Sequence, residues 1–191
     1  MPKREIPMRD YIYPEMMVHV PLCTVKKPEN VLIVSDDAAA LETEVARHDA
    51  ITSKTVSAAD VTASLREEAD ASVEVVIIDT LTDDAAALAH VNRVLNGEGL
   101  VVMRHADLSD EAANKQLMQV LGNYFKIIMP YHLGNGETAL LASKSYHPTA
   151  DIILHRSDML DGQKYYNCDV HPAAFAMGND IRKAYLGTIR N

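Results

Sequence analysis

Residues 73–80 read Val-Glu-Val-Val-Ile-Ile-Asp-Thr. Five of the first six residues are apolar and β-branched, and the run closes on an acid. The run from Val73 to Ile78, too short for a buried helix, is a strand covered on both faces. Such strands belong to parallel sheets with helices packed on either side. Working outward, Asp83 and Asp84 open a helix to Leu95, with their charges suited to its positive end. Gly97 and Gly99 form a turn into a strand over Leu100 to Met103. Ser109 is expected to cap a helix to Leu121. Tyr124 to Met129 reads as a strand, and Asn135-Gly136 turns the chain back into Thr138 to Ala142. Upstream, Asn30 to Val34 is a second buried strand, Ala38 to Arg47 a helix, Ile51 to Val56 a weak strand, and Asp60 to Ala69 a helix. A short helix over Glu15 to Val20 starts near Pro14 and is ended by Pro21. The stretch 151–191 is mostly irregular or helical. Strands and helices alternate, so the expected fold is a Rossmann-like α/β domain of the methyltransferase type. Its sheet is mostly parallel and ends in an antiparallel hairpin. The 191 residues make one domain, with an N-terminal segment 1–27 and a C-terminal tail 151–191.

Ligands of such sheets bind outside the carboxyl ends of the strands, which directs attention to the residues following Val34, Val56, Ile78 and Met103. All eight glycines lie at Gly97 or later. A phosphate-cradling Gly-rich loop is therefore excluded from the first half. The net charge of −9 argues against a nucleic-acid surface and is compatible with a cationic ligand. Cys23 and Cys168 are the only cysteines, so neither a disulfide framework nor a zinc site is indicated. His105, His132 and His155 have no metal-like spacing; surface or hydrogen-bonded roles suit them. No apolar run is long enough to span a membrane. The first residues, MPKREIPMRD, lack a signal-peptide core, so a cytoplasmic location is expected.

Three segments together resemble the spermidine synthases, the aminopropyltransferases. Tyr11 to Leu22, YIYPEMMVHVPL, is similar to the family's Y-[QH]-E-M-x-x-H/N-x-P-L. Pro28 to His48 follows its P-x-x-VLIIGGGDGG…RE-V-x-x-H without a gap. Lys164 to Ala184, KYYNCDVHPAAFAMGNDIRKA, resembles its C-terminal KYYN-x-[DE]-[VI]-H-x-A-[AS]-F motif. Between them, IIDT at 77–80 stands where the family has D-[ST]-[ST]-D-P. The resemblance implies transfer of an aminopropyl group from decarboxylated S-adenosylmethionine, as co-substrate, to putrescine, without metal or other cofactor.

Carried over by position, Asp79 matches the base that deprotonates putrescine; an Asp there is also a favoured helix cap. Tyr13 matches a tyrosine near the amine, and Tyr165 and Tyr166 match a pair that walls the diamine site. Glu15, which the resemblance places among the residues that bind the substrate, lies one helical turn before His19, on the same face. With a one-residue shift, Asp83 takes the place of the motif's second acid. At the nucleoside site GGGDGG becomes Ser35-Asp36-Asp37-Ala38-Ala39-Ala40. Asp36 and Asp37 supply charge there on a different backbone, and Asp60 lies near the position of the ribose-binding acid. The stretch from Val61 to Val73 is too short for the family's next strand, and the family's N-terminal β-domain is expected to have no counterpart before Tyr13. The resemblance also implies a homodimer, or association with a paralogue. A non-catalytic, polyamine-binding relative that has lost the nucleoside site is the alternative.

Overall fold

The computed structural model describes residues 10–191; residues 1–9, most of the stretch read above for a signal peptide, lie outside them. The elements in chain order are α1 (Ile12–Leu22), β1 (Asn30–Val34), α2 (Ala39–Val45), β2 (Thr52–Val56), α3 (Val61–Arg66), β3 (Val73–Leu81), α4 (Ala85–Val94), β4 (Leu95–Arg104), α5 (Glu111–Leu121), β5 (Ile127–His132), β6 (Thr138–Ser143), α6 (Leu154–Asp158), α7 (Val170–Ala173) and α8 (Asn179–Ala184). The six strands form one sheet in the order β2-β1-β3-β4-β6-β5. β1 pairs in parallel with β2 and β3, and β3 with β4. β6 inserts between β4 and β5 and runs antiparallel to both. This is the mixed, mostly parallel sheet read from the sequence. β2 is an edge strand, and α3 leads straight into β3.

The alternation of side chains along each strand divides the core in two. Val31 and Ile33, Val75 and Ile77, Leu100 and Val102, and Ala139 and Leu141 face α1 and the C-terminal tail. Leu32 and Val34, Val76 and Ile78, Val101 and Met103, and Leu140 and Ala142 face the layer that contains α4 and α5. Both faces of the central strands are thus covered, as their unbroken apolar runs demand.

Several boundaries differ from the sequence reading, each for a local reason. β3 runs three residues past Ile78, because Leu81 pairs with Arg104 of β4 after a register shift. α1 absorbs Pro21 in its last turn and closes on the Cys23 N–H to His19 carbonyl bond, 2.9 Å. Asp110, not Ser109, caps α5, accepting from the Ala113 N–H at 3.1 Å, while Ser109 donates to Asp107. β5 starts at Ile127, because Tyr124 and Phe125 are still tied to the Leu121 carbonyl at the end of α5. Gly97 and Gly99 lie within β4. At Gly99 a Cβ would stand 3.0 Å from the Glu74 carbonyl, so the close pass of the two backbones needs glycine.

Candidate active site

The register that aligns Val34 with Ile78 makes Ser35 and Asp79 neighbours just beyond the core. By strand parity both point to the α1 face, and so does Arg104, two residues after Val102. Three adjacent parallel strands thus deliver a hydroxyl, a carboxylate and a guanidinium to one side of the sheet's carboxyl edge. α1 crosses above them and brings Tyr13 down onto Asp79.

The carboxylate of Asp79 is held at both oxygens. The Tyr13 hydroxyl donates to Oδ1, and the Ser35 hydroxyl donates to Oδ2 at 3.0 Å. Ser35 is itself fixed, because its Oγ accepts the Asp37 N–H at 3.0 Å. Burial, followed by the hydrogen bond to Asp79 and that residue's charge, raises the Tyr13 pKa far above its ordinary value. Tyr13 therefore stays a donor at all physiological pH, and Asp79 keeps a second lone pair on each oxygen for another N–H.

A cleft of about 170 Å³ opens beside Tyr13, lined by Arg104, His105, Asp107, Leu133, Glu137 and Thr138, with Gly136 at its rim. His105 bridges two elements: Nδ1 lies 2.7 Å from Asn114 Oδ1 of α5, and Nε2 lies 3.0 Å from the Thr138 hydroxyl of β6. Burial lowers its pKa, favouring the neutral ring. The same ring lines a second cavity of about 220 Å³, in which Asp83 stands with Leu81, Thr82 and Asn114. Ser35 and Arg104 directly follow Val34 and Met103, positions to which the sequence directs attention without naming either as a site residue. Strand parity was the available signal, since both follow a core residue of the α1 face by two positions.

The remaining site residues read from sequence separate into two groups. Tyr165 is half-buried against Gly134, in the turn that also supplies Leu133 and Gly136 to the cleft. A Cβ at Gly134 would stand 2.1 Å from the Tyr165 hydroxyl, and the +87° φ there also favours glycine. Glu15 and Tyr166 instead belong to the interior. Glu15 is 1% exposed, and its two oxygens accept the backbone N–H groups of Lys164, Tyr165 and Tyr166, each at 2.8 Å. Its carboxylate is occupied in anchoring the tail, which corrects the expectation of a ligand contact. The Tyr166 hydroxyl bonds His171 Nδ1 at 2.8 Å, and its ring packs against His19. His19 continues the seam, with Nε2 3.0 Å from Glu44 and Nδ1 2.9 Å from His48 Nε2. The recognisable residues of α1, of the end of α2 and of the tail thus meet in one buried polar seam.

On the nucleoside side, Asp36 accepts from the Ser57 hydroxyl at 2.8 Å and the Ala58 N–H at 3.0 Å, tying the β1 and β2 loops together. Asp37 is exposed. Asp60 caps α3, accepting from the Ala63 N–H at 2.9 Å. α2 begins at Ala39 without a side-chain cap. No residue from 35–40 lines either cavity at this edge of the sheet. No helix among the described residues is long and apolar enough to cross a membrane.

Residues 10–80 match the spermine/spermidine synthase domain family. Polyamine aminopropyltransferases of Helicobacter pylori (strain G27) and Helicobacter acinonychis (strain Sheeba) are 25% and 26% identical over 107 residues. The match covers 53% of this chain but only 40% of each relative, well under half of their length. Among solved structures, the spermidine synthase of Thermotoga maritima superposes with a TM-score of 0.80 at 22% identity, covering 92% of this chain and 74% of that one. A spermidine synthase in complex with the transition state analogue AdoDATO gives 0.81 at 21% identity, over 92% and 75% of the two chains. These superpositions show a shared fold. Over α1 to β3 the chain is thus similar to the spermine/spermidine synthase domain, and as a whole it shares the fold of the spermidine synthases.

Proposed function

We propose that this chain is an aminopropyltransferase in which Asp79 is the general base. The acceptor is a diamine such as putrescine, and the donor is decarboxylated S-adenosylmethionine. The amine nitrogen attacks the methylene next to the sulfonium, the C–S bond breaks with its electron pair passing to sulfur, and the nitrogen's surplus proton moves to Asp79. The observation that carries this reading is the Asp79 carboxylate, clamped by Tyr13 and Ser35 at the carboxyl edge of the sheet with a lone pair still free on each oxygen. The clamp fixes the acceptor atom in place, and positioning of that kind supplies much of such a rate enhancement. Asp107 and Glu137 at the cleft suit a cationic ligand, and Arg104 limits where its second ammonium can lie. Asp83 and Tyr165 stand close enough to this region to shape its outer part. A cytoplasmic setting and a paired assembly, with a second copy or a paralogue, complete the proposal.

The test is formation of methylthioadenosine from the donor and a panel of diamines. Turnover is expected, with Asp79→Asn reducing it by roughly 10²–10⁴-fold. No turnover with any diamine, or full activity in Asp79→Asn, overturns the reading. A second reading, a diamine-binding relative that does not transfer, is favoured by the 35–40 loop, where alanines and aspartates stand in place of a glycine cradle. Calorimetric binding of putrescine without any binding of the nucleoside donor would select it.

A further inference from the structure

At the opposite edge of the sheet, the segments leading into β1 and β2 enclose a cavity of about 440 Å³ together with α6. It is larger than either cavity at the carboxyl edge. Four cationic side chains line it, Lys26, Lys27, Arg47 and Arg156, against the two carboxylates of Glu29 and Asp49. A chain with a net charge of −9 thus carries a local surplus of positive charge here.

The cations are incompletely engaged. Arg156 donates from Nη1 to the Leu22 and Val25 carbonyls and from Nη2 to the Lys26 carbonyl, which leaves two of its five N–H groups. No carboxylate pairs with it among the described residues, and the same holds for Lys26 and Lys27. Arg47 spends Nε on Glu44 and Nη1 on the Asp161 carbonyl. His48 also lines the cavity, is 5% exposed, and has an Nδ1 that finds no hydrogen-bond partner among the described residues. Apart from His155, the remaining wall is apolar, chiefly Pro28, Ile51, Ile153 and Leu160. A half-buried guanidinium without a counter-charge is costly, and a bound anion removes that cost.

We infer that this cavity is a binding site for a small organic phosphate, with the phosphate dianion among the four cations and the organic body against the apolar wall. Arg47 is already paired with Glu44, so Lys26, Lys27 and Arg156 are the cations left to meet an anion, and the several acceptor oxygens of a phosphate suit three such donors better than a single carboxylate does. The volume exceeds what a phosphate group fills and lies in the range of small-molecule sites. The site is independent of the cleft beside Tyr13, and its test does not involve turnover.

The test is calorimetric titration of the full chain at constant ionic strength with ribose 5-phosphate, inorganic phosphate and ribose. Saturable binding of ribose 5-phosphate is expected with a dissociation constant of about 1 mM or tighter. Inorganic phosphate should compete, and ribose should not. Lys26→Gln/Lys27→Gln removes two exposed side chains and should weaken binding about tenfold at an unchanged melting temperature. Lys115→Gln, on the distant α5, should change nothing. Absence of saturable binding, wild-type affinity in the double variant, or ribose binding as well as its phosphate would overturn the inference.

Discussion

Acid should unfold this protein through its buried histidines. His48 is pushed from its ordinary 6.5 to about 3, mainly by burial, then by the neighbouring charges of His19 and Arg156, with Glu44 opposing them. His171, buried beside Tyr166 and Thr24, is lowered from 6.5 to about 4, again mainly by burial. Both folded values lie below the unfolded one, so the unfolded chain binds more protons between about pH 4 and 6.5. Stability is therefore full above pH 6.5 and falls as pH drops. Linkage gives about 2 kcal/mol lost per histidine on going from pH 7 to pH 5, so about 4 kcal/mol for the pair. That is a large share of the roughly 5–15 kcal/mol a domain usually has. Glu44, whose pKa is lowered by His19 and Arg47 despite its burial, adds to the loss only below its ordinary 4.5. The assay is urea unfolding at pH 7, 6 and 5. His48→Gln and His171→Gln, measured the same way, should each lower stability at pH 7 yet flatten the pH slope by about half. A midpoint that does not move between pH 7 and 5, or a slope unchanged in both variants, refutes the reasoning.

Further tests address single contacts. Glu15→Gln leaves one of the Lys164, Tyr165 and Tyr166 amides short of an acceptor and removes a charge-assisted set of bonds; a loss of about 2–3 kcal/mol is expected in urea unfolding. Tyr13→Phe removes the donor to Asp79 and should lower turnover by roughly 10–100-fold, with the loss in kcat if the bond orients the base. Ala71 holds a left-handed φ of 49° in the turn before β3. Ala71→Gly should gain about 0.5–1 kcal/mol, the relief of that conformation less the added freedom of the unfolded chain, visible as a raised urea midpoint.

Periodicity alone located the sheet, because β1, β3 and β4 are covered on both faces and their apolar runs have no other use. Boundaries slipped where tertiary contacts decided them. The extension of β3 past Ile78 depends on Arg104 of a strand that follows it in the chain, and the cap of α5 passed to Asp110 because Asp107 engages Ser109. The missing strand after α3 was legible, since 61–73 has no room for it. Asp79 and Tyr13 were legible as a pair of matching positions, though not as a contact. Glu15 and Tyr166 misled for one physical reason: a charged or hydroxyl-bearing residue in a motif looks like a ligand contact, and only the fold reveals that backbone amides and a histidine already occupy it.

The anchoring role of Glu15 bears on how the site is built. Glu15 and Tyr13 lie two positions apart on α1, so the same helix carries the anchor of the tail and the donor to Asp79. Glu15 fixes α1 to residues 164–166, and His19 fixes it through Glu44 and His48 to the end of α2. These ties act together with the packing of α1 on the sheet, where Met16, Met17 and Val20 join the core and the Tyr131 hydroxyl donates to the Met16 carbonyl, to hold Tyr13 over the carboxylate. The residues that make the chain recognisable therefore act on the candidate base at one remove, by holding the helix that carries its partner. A chain under selection for that geometry would keep the seam and the Tyr13–Asp79 contact together, while the 35–40 loop, which touches Asp79 only through Ser35, could change its backbone without disturbing either.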